Sequence, residues 1–120
     1  MAEVKFVPHK GKKILLMDYS NSEKEDILKA IAETKLLVAK EPPKSVLGIV
    51  NVTGSGFNSD VSNALKDLAK HNEPYIKMST VVGVDGIKRA IYVAVLRFTG
   101  RKNLVLKDSV EEAKDWLVTQ

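Results

Sequence analysis

The chain has 120 residues, the size of one folded domain rather than two. Its 44% hydrophobic and 28% charged residues exclude a disordered or fibrous chain, and the absence of cysteine excludes disulfides, thiolate metal sites and a cysteine nucleophile. The net charge of +4 is only a weak indication of an acidic partner.

The first half of the chain predicts two strands, a helix and a third strand. Residues 3–7 and 13–17 should form a hairpin around the turn at 8–12. Ser22 and Glu25 have the spacing of a capping box, and Pro42-Pro43 ends the helix that this box opens. One apolar stripe of the helix is expected to face the core: Ile27, Leu28, Ile31, Thr34, Leu37 and Val38. Residues 45–52 then read as a buried strand.

The second half predicts two further strands and three helices. Ser59 is a candidate cap for a helix that reaches His71, with Val61, Ala64, Leu65 and Leu68 facing inward. A strand over 75–84 follows. Residues 87–99 contain enough β-branched residues for a strand, but the length of the segment and the helix-ending Gly100 favour a helix. A short strand at 104–106 precedes a helix opened by a capping box at 109–112.

The resulting order, β-β-α-β-α-β-α-β-α, predicts one α/β domain over residues 1–120. We expect a mostly parallel five-stranded sheet with right-handed crossovers, an antiparallel edge strand and about four helices. The N-terminus lacks the pattern of a secretory signal, and the chain contains no run of about 18 apolar residues. The expectation is therefore a cytoplasmic protein with no transmembrane segment.

Three loops should meet at the carboxyl ends of the parallel strands, where ligands collect in sheets of this class. They are residues 18–21, 53–56 and 83–86, and their glycines and following helices would suit an anion. The ligand or partner candidates in them are Asp18, Tyr19, Ser20, Thr53, Gly54, Gly56, Asp85 and Gly86. Short turns need the same residue types, so a purely structural role is the alternative.

Catalytic and cofactor patterns are absent from the sequence. His9 and His71 have no metal-ligand spacing, and residues 52–56 lack the first glycine of a nucleophile elbow. Residues 53–60 are not a phosphate-binding P-loop. The prediction is a protein that is not an enzyme and needs no cofactor or metal.

The predicted helix 87–99 is apolar almost all round, with basic residues at both ends. It could be an inner helix covered by its neighbours, an interface with a protein partner or a second copy, or a peripheral contact with lipid. The interface candidates are Ile91, Tyr92, Val95, Arg97 and Phe98. Nucleic acid is a poor fit, because the lysines are scattered and the chain has no recognised binding motif.

Four segments in order resemble the SpoIIAA-like branch of the STAS (STAS/SEC14-like) domain family. They are Leu16-Met17-Asp18-Tyr19-Ser20, residues 48–54, residues 81–89 and, the best match, residues 109–117. The resemblance spans residues 13–120 and implies a non-catalytic regulatory or protein-interaction module. It also implies a phosphorylated serine near the second helix, for which Ser59 is the nearest candidate and Ser55 the second, although the surrounding motif is absent.

Two functions are therefore expected. The first is a regulatory or protein-interaction module that self-associates through helix 87–99. The alternative is a binding protein for a small apolar or phosphorylated ligand, such as a lipid or a nucleotide, with a pocket at the carboxyl ends of the strands. A pocket lined by helix 87–99 would favour the alternative, and a filled core would count against it.

Overall fold

The computed structural model describes residues 2–120 and contains five strands and four helices in the predicted order. The strands are β1 (Glu3–His9), β2 (Lys12–Asp18), β3 (Val46–Asn51), β4 (Ile76–Val82) and β5 (Leu104–Lys107). The helices are α1 (Lys24–Val38), α2 (Ser59–Asn72), α3 (Gly86–Thr99) and α4 (Val110–Leu117). The helical prediction for the ambiguous segment at 87–99 is confirmed.

The strands form one mixed sheet in the order β1-β2-β3-β4-β5. β1 pairs with β2 antiparallel, and every other neighbouring pair is parallel, which confirms the predicted fold class. Because β2 to β5 follow one another in space as in sequence, right-handed crossovers place all three connecting helices on the same face of the sheet.

Alternate side chains of the central strands face two separate layers. On β2, Leu15 and Met17 pack in the cluster that contains the buried residues of α1 and α2. Ile14 packs on the opposite face, with Ala113 and Leu117 of α4. Three helices therefore cover one face, while α4 alone lies against the other.

Two of the predicted helix caps are each wrong by one residue. α1 begins at Lys24 with Glu23 at its N-cap position, and the Ser22 hydroxyl donates to the Ser20 carbonyl instead. Ser22 is displaced from the helix because its own carbonyl accepts a hydrogen bond from the Gly56 amide. Ser59 is the first residue of α2, and its cap is Asn58, whose side-chain oxygen accepts from the Val61 amide at 2.9 Å.

The other local predictions hold with one exception. Ser109 caps α4 as expected, accepting from the Glu112 amide at 3.1 Å. On α1, Ile27 and the rest of the predicted stripe are buried or half-buried, but Leu28 is exposed. Leu28 lies one position beyond Ile27, about 100° around the helix, and so falls at the edge of the stripe.

α3 is far less covered than the other helices on its face. Among its residues with described side chains, Val95 alone is buried. Val93 is 38% exposed and Phe98 is 56% exposed. The interpretation of α3 as an inner helix covered by its neighbours is therefore wrong, because α3 lies at the end of the helical layer and, among the helices of the described chain, packs chiefly against α2.

Candidate functional site

The three predicted loops do come together at one edge of the sheet. The Asn21 amide donates to the Thr53 carbonyl at 2.8 Å, which joins the first loop to the second. Gly83, with φ at +87°, lies so close to the second loop that a Cβ atom there would fall 2.5 Å from the Thr53 amide nitrogen. Only glycine fits this position, since both the backbone angle and the space exclude a side chain.

The polar side chains of these loops are used to build the turns. Asp18 accepts from the Ser20 amide at 3.1 Å and from the Ser20 hydroxyl at 2.5 Å. Asn51 accepts from the Thr53 amide and hydroxyl in the same pattern, at 3.1 and 2.7 Å. These are Asx turns, in which the side-chain oxygen of Asp or Asn accepts hydrogen bonds from the residue two positions ahead. For Asp18, Ser20 and Thr53, this arrangement favours a structural role in the turns over a role in ligand binding.

Tyr19 belongs to the core rather than to the ligand-accessible part of its loop. Its side chain is 0% exposed, and its hydroxyl lies 2.7 Å from the Thr34 hydroxyl on α1. Burial raises the pKa of Tyr19 well above its ordinary value. Of the remaining candidates, Asp85 and Gly86 lie exposed at the start of α3, and Gly54 is exposed in the second loop. Gly56, also in the second loop, is half-buried, and its amide donates to the Ser22 carbonyl at 3.1 Å.

The sheet has no reversal of strand order that would open a crevice between the loops. In doubly wound sheets, ligands bind where the strand order reverses, but here β2 to β5 run in sequence. Space is found instead beneath the loops, between the helical layer and the sheet.

A mostly apolar cavity of about 80 Å³ lies between α2, α3 and the face of the sheet. At the carboxyl ends of the strands it begins at Val52, Phe57 and Val84, close to the loops. Its remaining lining comes from the strands, the two helices and the segment after α3: Met17, Val50, Leu65, Leu68, Ala69, Asn72, Ile76, Ser79, Val81, Lys88, Ile91, Tyr92, Val95, Arg101 and Leu104.

The cavity divides the predicted interface residues of α3 into two groups. Ile91, Tyr92 and Val95 line the cavity and thus face the sheet. Arg97 and Phe98 are exposed. The apolar character of α3 all round therefore reflects two environments, a cavity on one side and solvent on the other.

Two polar side chains tie α3 to the sheet across the cavity. The Lys88 ammonium donates to the Val52 carbonyl at 2.7 Å, and the Tyr92 hydroxyl donates to the Leu104 carbonyl at 3.1 Å. Partial burial raises the pKa of Tyr92. These two bonds join the inner face of α3 to the β3 end and to β5.

The two candidate serines differ in accessibility. Ser59 is exposed at the first position of α2. Ser55 is half-buried, and its hydroxyl donates to the Val52 carbonyl at 2.7 Å. Of the two, Ser59 is the residue that a modifying enzyme could reach without opening the loop.

Residues 2–120 contain neither a cluster of metal ligands nor a helix that could span a membrane. That part of the chain holds no group of three or more His, Asp or Glu side chains that could bind a metal ion. None of its helices combines the length and apolar character that crossing a membrane requires.

Comparisons with protein-family models, with curated proteins and with solved structures find no match to this chain. The resemblance to SpoIIAA-like domains thus stays a prediction that rests on the segments quoted above.

Proposed function

We propose that this protein is a non-catalytic binding module that takes a small apolar ligand into the cavity between α2, α3 and the sheet. The observation that carries the proposal is an apolar cavity roofed by a helix that buries one described side chain, Val95. Protein interiors are ordinarily packed without voids larger than a water molecule, so this space departs from the usual packing of a core.

The size of the cavity indicates that α3 moves outward when a ligand enters. Its volume of about 80 Å³ is smaller than the cavity of about 150 Å³ that admits benzene in another protein. α3 is bounded by Gly86 and Gly100, both at positive φ, where backbone angles can change at little cost. Each methylene group that leaves water for the cavity contributes about 0.8 kcal/mol to binding.

Titration with 1-octanol, a neutral apolar probe, tests this proposal. We expect methyl NMR signals of Leu68 and Ile91 to shift with saturation in the wild-type protein. Val95→Phe should abolish the shifts, because the larger ring fills the cavity from α3. Val93→Phe, on the exposed side of the same helix, is the matched control and should bind like wild type.

Two results would contradict the proposal. One is the absence of saturable shifts in the wild-type protein. The other is equal loss of binding in both phenylalanine variants while both remain folded, since this would separate the effect from the filling of the cavity.

A second candidate function is the regulatory or interaction module that the family resemblance implies. The exposed Val93 on the outer side of α3 favours it, with a second copy of the chain as the partner. Phosphorylation of Ser59 would place negative charge at the positive end of α2, which the helix tolerates. The association state of the protein tests this candidate.

A further inference from the structure

Arg101 brings a buried positive charge to the lining of the apolar cavity. The residue follows Gly100, which ends α3, and is 9% exposed. Its Nε donates to the Asn103 side chain at 3.0 Å, and its Nη1 donates to the Ala69 carbonyl of α2 at 3.3 Å. Its Nη2 is buried and has no hydrogen-bond partner among residues 2–120.

The charge of Arg101 also lacks a carboxylate partner within ion-pair distance in the described chain. Glu73 acts on it only from farther away and pairs with Lys44 at 3.5 Å. Burial lowers the pKa of Arg101, but a guanidinium remains protonated at neutral pH. A buried cation with an unused donor is costly, and pairing with a bound anion would offset part of that cost.

We infer that the cavity binds an amphiphile whose carboxylate pairs with Nη2 of Arg101 while its apolar tail lies between α2 and α3. The inference rests on the proposed function and adds the chemical class of the ligand. Arg101 is held in place for this role by Asn103, whose amide group donates in turn to the Ile76 carbonyl at 3.0 Å.

The supply of donors favours a carboxylate over a phosphate group. The other charged residue of the lining, Lys88, already donates to the Val52 carbonyl, and the Tyr92 hydroxyl already donates to the Leu104 carbonyl. One guanidinium nitrogen remains for the ligand, which suits a single negative charge better than a dianion that needs several donors.

The length of the lined segments sets the size of the tail. On α2 the lining runs from Leu65 to Asn72, and on α3 from Lys88 to Val95. Each stretch covers about 10 Å at the helical rise of about 1.5 Å per residue. A single unbranched tail of medium length fits this distance, whereas a two-tailed lipid does not.

Arg101 also has a structural role that the experiment must separate from binding. Its bond to the Ala69 carbonyl satisfies an acceptor in the last turn of α2, so substitution will lower stability whether or not a ligand binds. Comparing two ligands of the same chain length, one with a charged and one with a neutral head group, removes this effect, since stability acts on both alike.

The experiment measures the affinity of octanoate and of 1-octanol at neutral pH by calorimetry. For the wild-type protein we expect octanoate to bind about tenfold more tightly, which corresponds to about 1.4 kcal/mol. Arg101→Met keeps most of the side-chain stem, and we expect it to lose the preference for octanoate or to favour 1-octanol, because an unpaired carboxylate in an apolar cavity costs more than a hydroxyl. Arg101→Lys keeps the charge and should retain part of the preference, and it serves where Arg101→Met fails to fold.

The outcomes distinguish the two proposals. Binding of 1-octanol without a preference for octanoate in the wild-type protein contradicts the inference and leaves the proposed function intact. An unchanged preference in Arg101→Met also overturns it and assigns Arg101 a structural role alone. If neither ligand binds, the proposed function itself fails, and the inference fails with it.

Discussion

Tyr19 and Thr34 show how a single polar pair is accommodated in an apolar core. The Thr34 hydroxyl donates to the Ala30 carbonyl at 2.8 Å, so the Tyr19 hydroxyl must be the donor in the bond between them. Both residues are 0% exposed. The Tyr19 hydroxyl therefore depends on Thr34 for its hydrogen-bond acceptor.

We expect Thr34→Val to cost more stability than Tyr19→Phe, although valine matches threonine in shape. Tyr19→Phe removes one hydrogen bond, a loss of about 1 kcal/mol. Thr34→Val leaves the Tyr19 hydroxyl buried without an acceptor, a loss of about 1–3 kcal/mol. Equilibrium unfolding in urea measures the loss of stability in each variant. A smaller loss for Thr34→Val than for Tyr19→Phe would show that the buried hydroxyl finds another partner.

The sequence held a signal that Tyr19 is buried, since Leu15, Met17 and Tyr19 alternate with residues that face the other side of the sheet. Its position beside Ser20 and Asn21 made it look like a loop residue instead. No comparable signal marks Arg101. Basic residues near helix ends are ordinarily exposed, and its burial depends on the packing of α2 beside α3, which the local sequence does not encode.

At the scale of elements, the sequence predicted the order and type of every helix and strand because each has a clear period or boundary residue. Helix starts were less predictable, since Asn58 and Ser59 are adjacent and both residue types cap helices well. The cavity beneath α3 could not be predicted. The apolar pattern of α3 is the same whether its inner face meets a filled core or an open space.

We expect α3 to open locally at a free energy well below that of global unfolding. α1 buries five residues, whereas Val95 is the sole buried residue among the described side chains of α3. Elements with few buried contacts exchange their amide hydrogens through local opening. Native-state hydrogen exchange measures this, with α1 as the internal control.

Lys88→Met provides a second test by hydrogen exchange, because it removes the hydrogen bond from α3 to the Val52 carbonyl. Amides of α3 should then exchange faster, while those of α1 remain unchanged. Exchange of α3 only through global unfolding, in both proteins, would show that α3 is held as firmly as α1 and would count against its outward movement.

At the scale of the whole molecule, α3 differs from the other three helices because no ion pair joins it to a neighbouring element of the described chain. α4 is tied to the first hairpin by Asp115, which pairs with His9 at 2.7 Å and with Lys10 at 3.1 Å. α1 and α2 are joined by the pair of Lys35 and Asp67. α3 has no such ion pair in the described chain, so its outer side is the part of the helical layer that remains open to a second copy.

If the second candidate function holds, the wild-type protein should associate through the outer side of α3 around Val93 as its concentration rises. Val93→Asp should abolish this, because it would place a charge in an apolar contact, whereas Leu36→Asp on α1 should not, although Leu36 is 67% exposed. Added salt should strengthen association, since it screens the net charge of +4 and the exposed Arg89 and Arg97 on α3. Sedimentation velocity measures the association of the wild-type protein, of the two aspartate variants and of the wild-type protein in added salt. A monomer at every concentration, or association that survives Val93→Asp, would exclude this face of α3 as the interface and leave the cavity on its other side as the functional part of the helix.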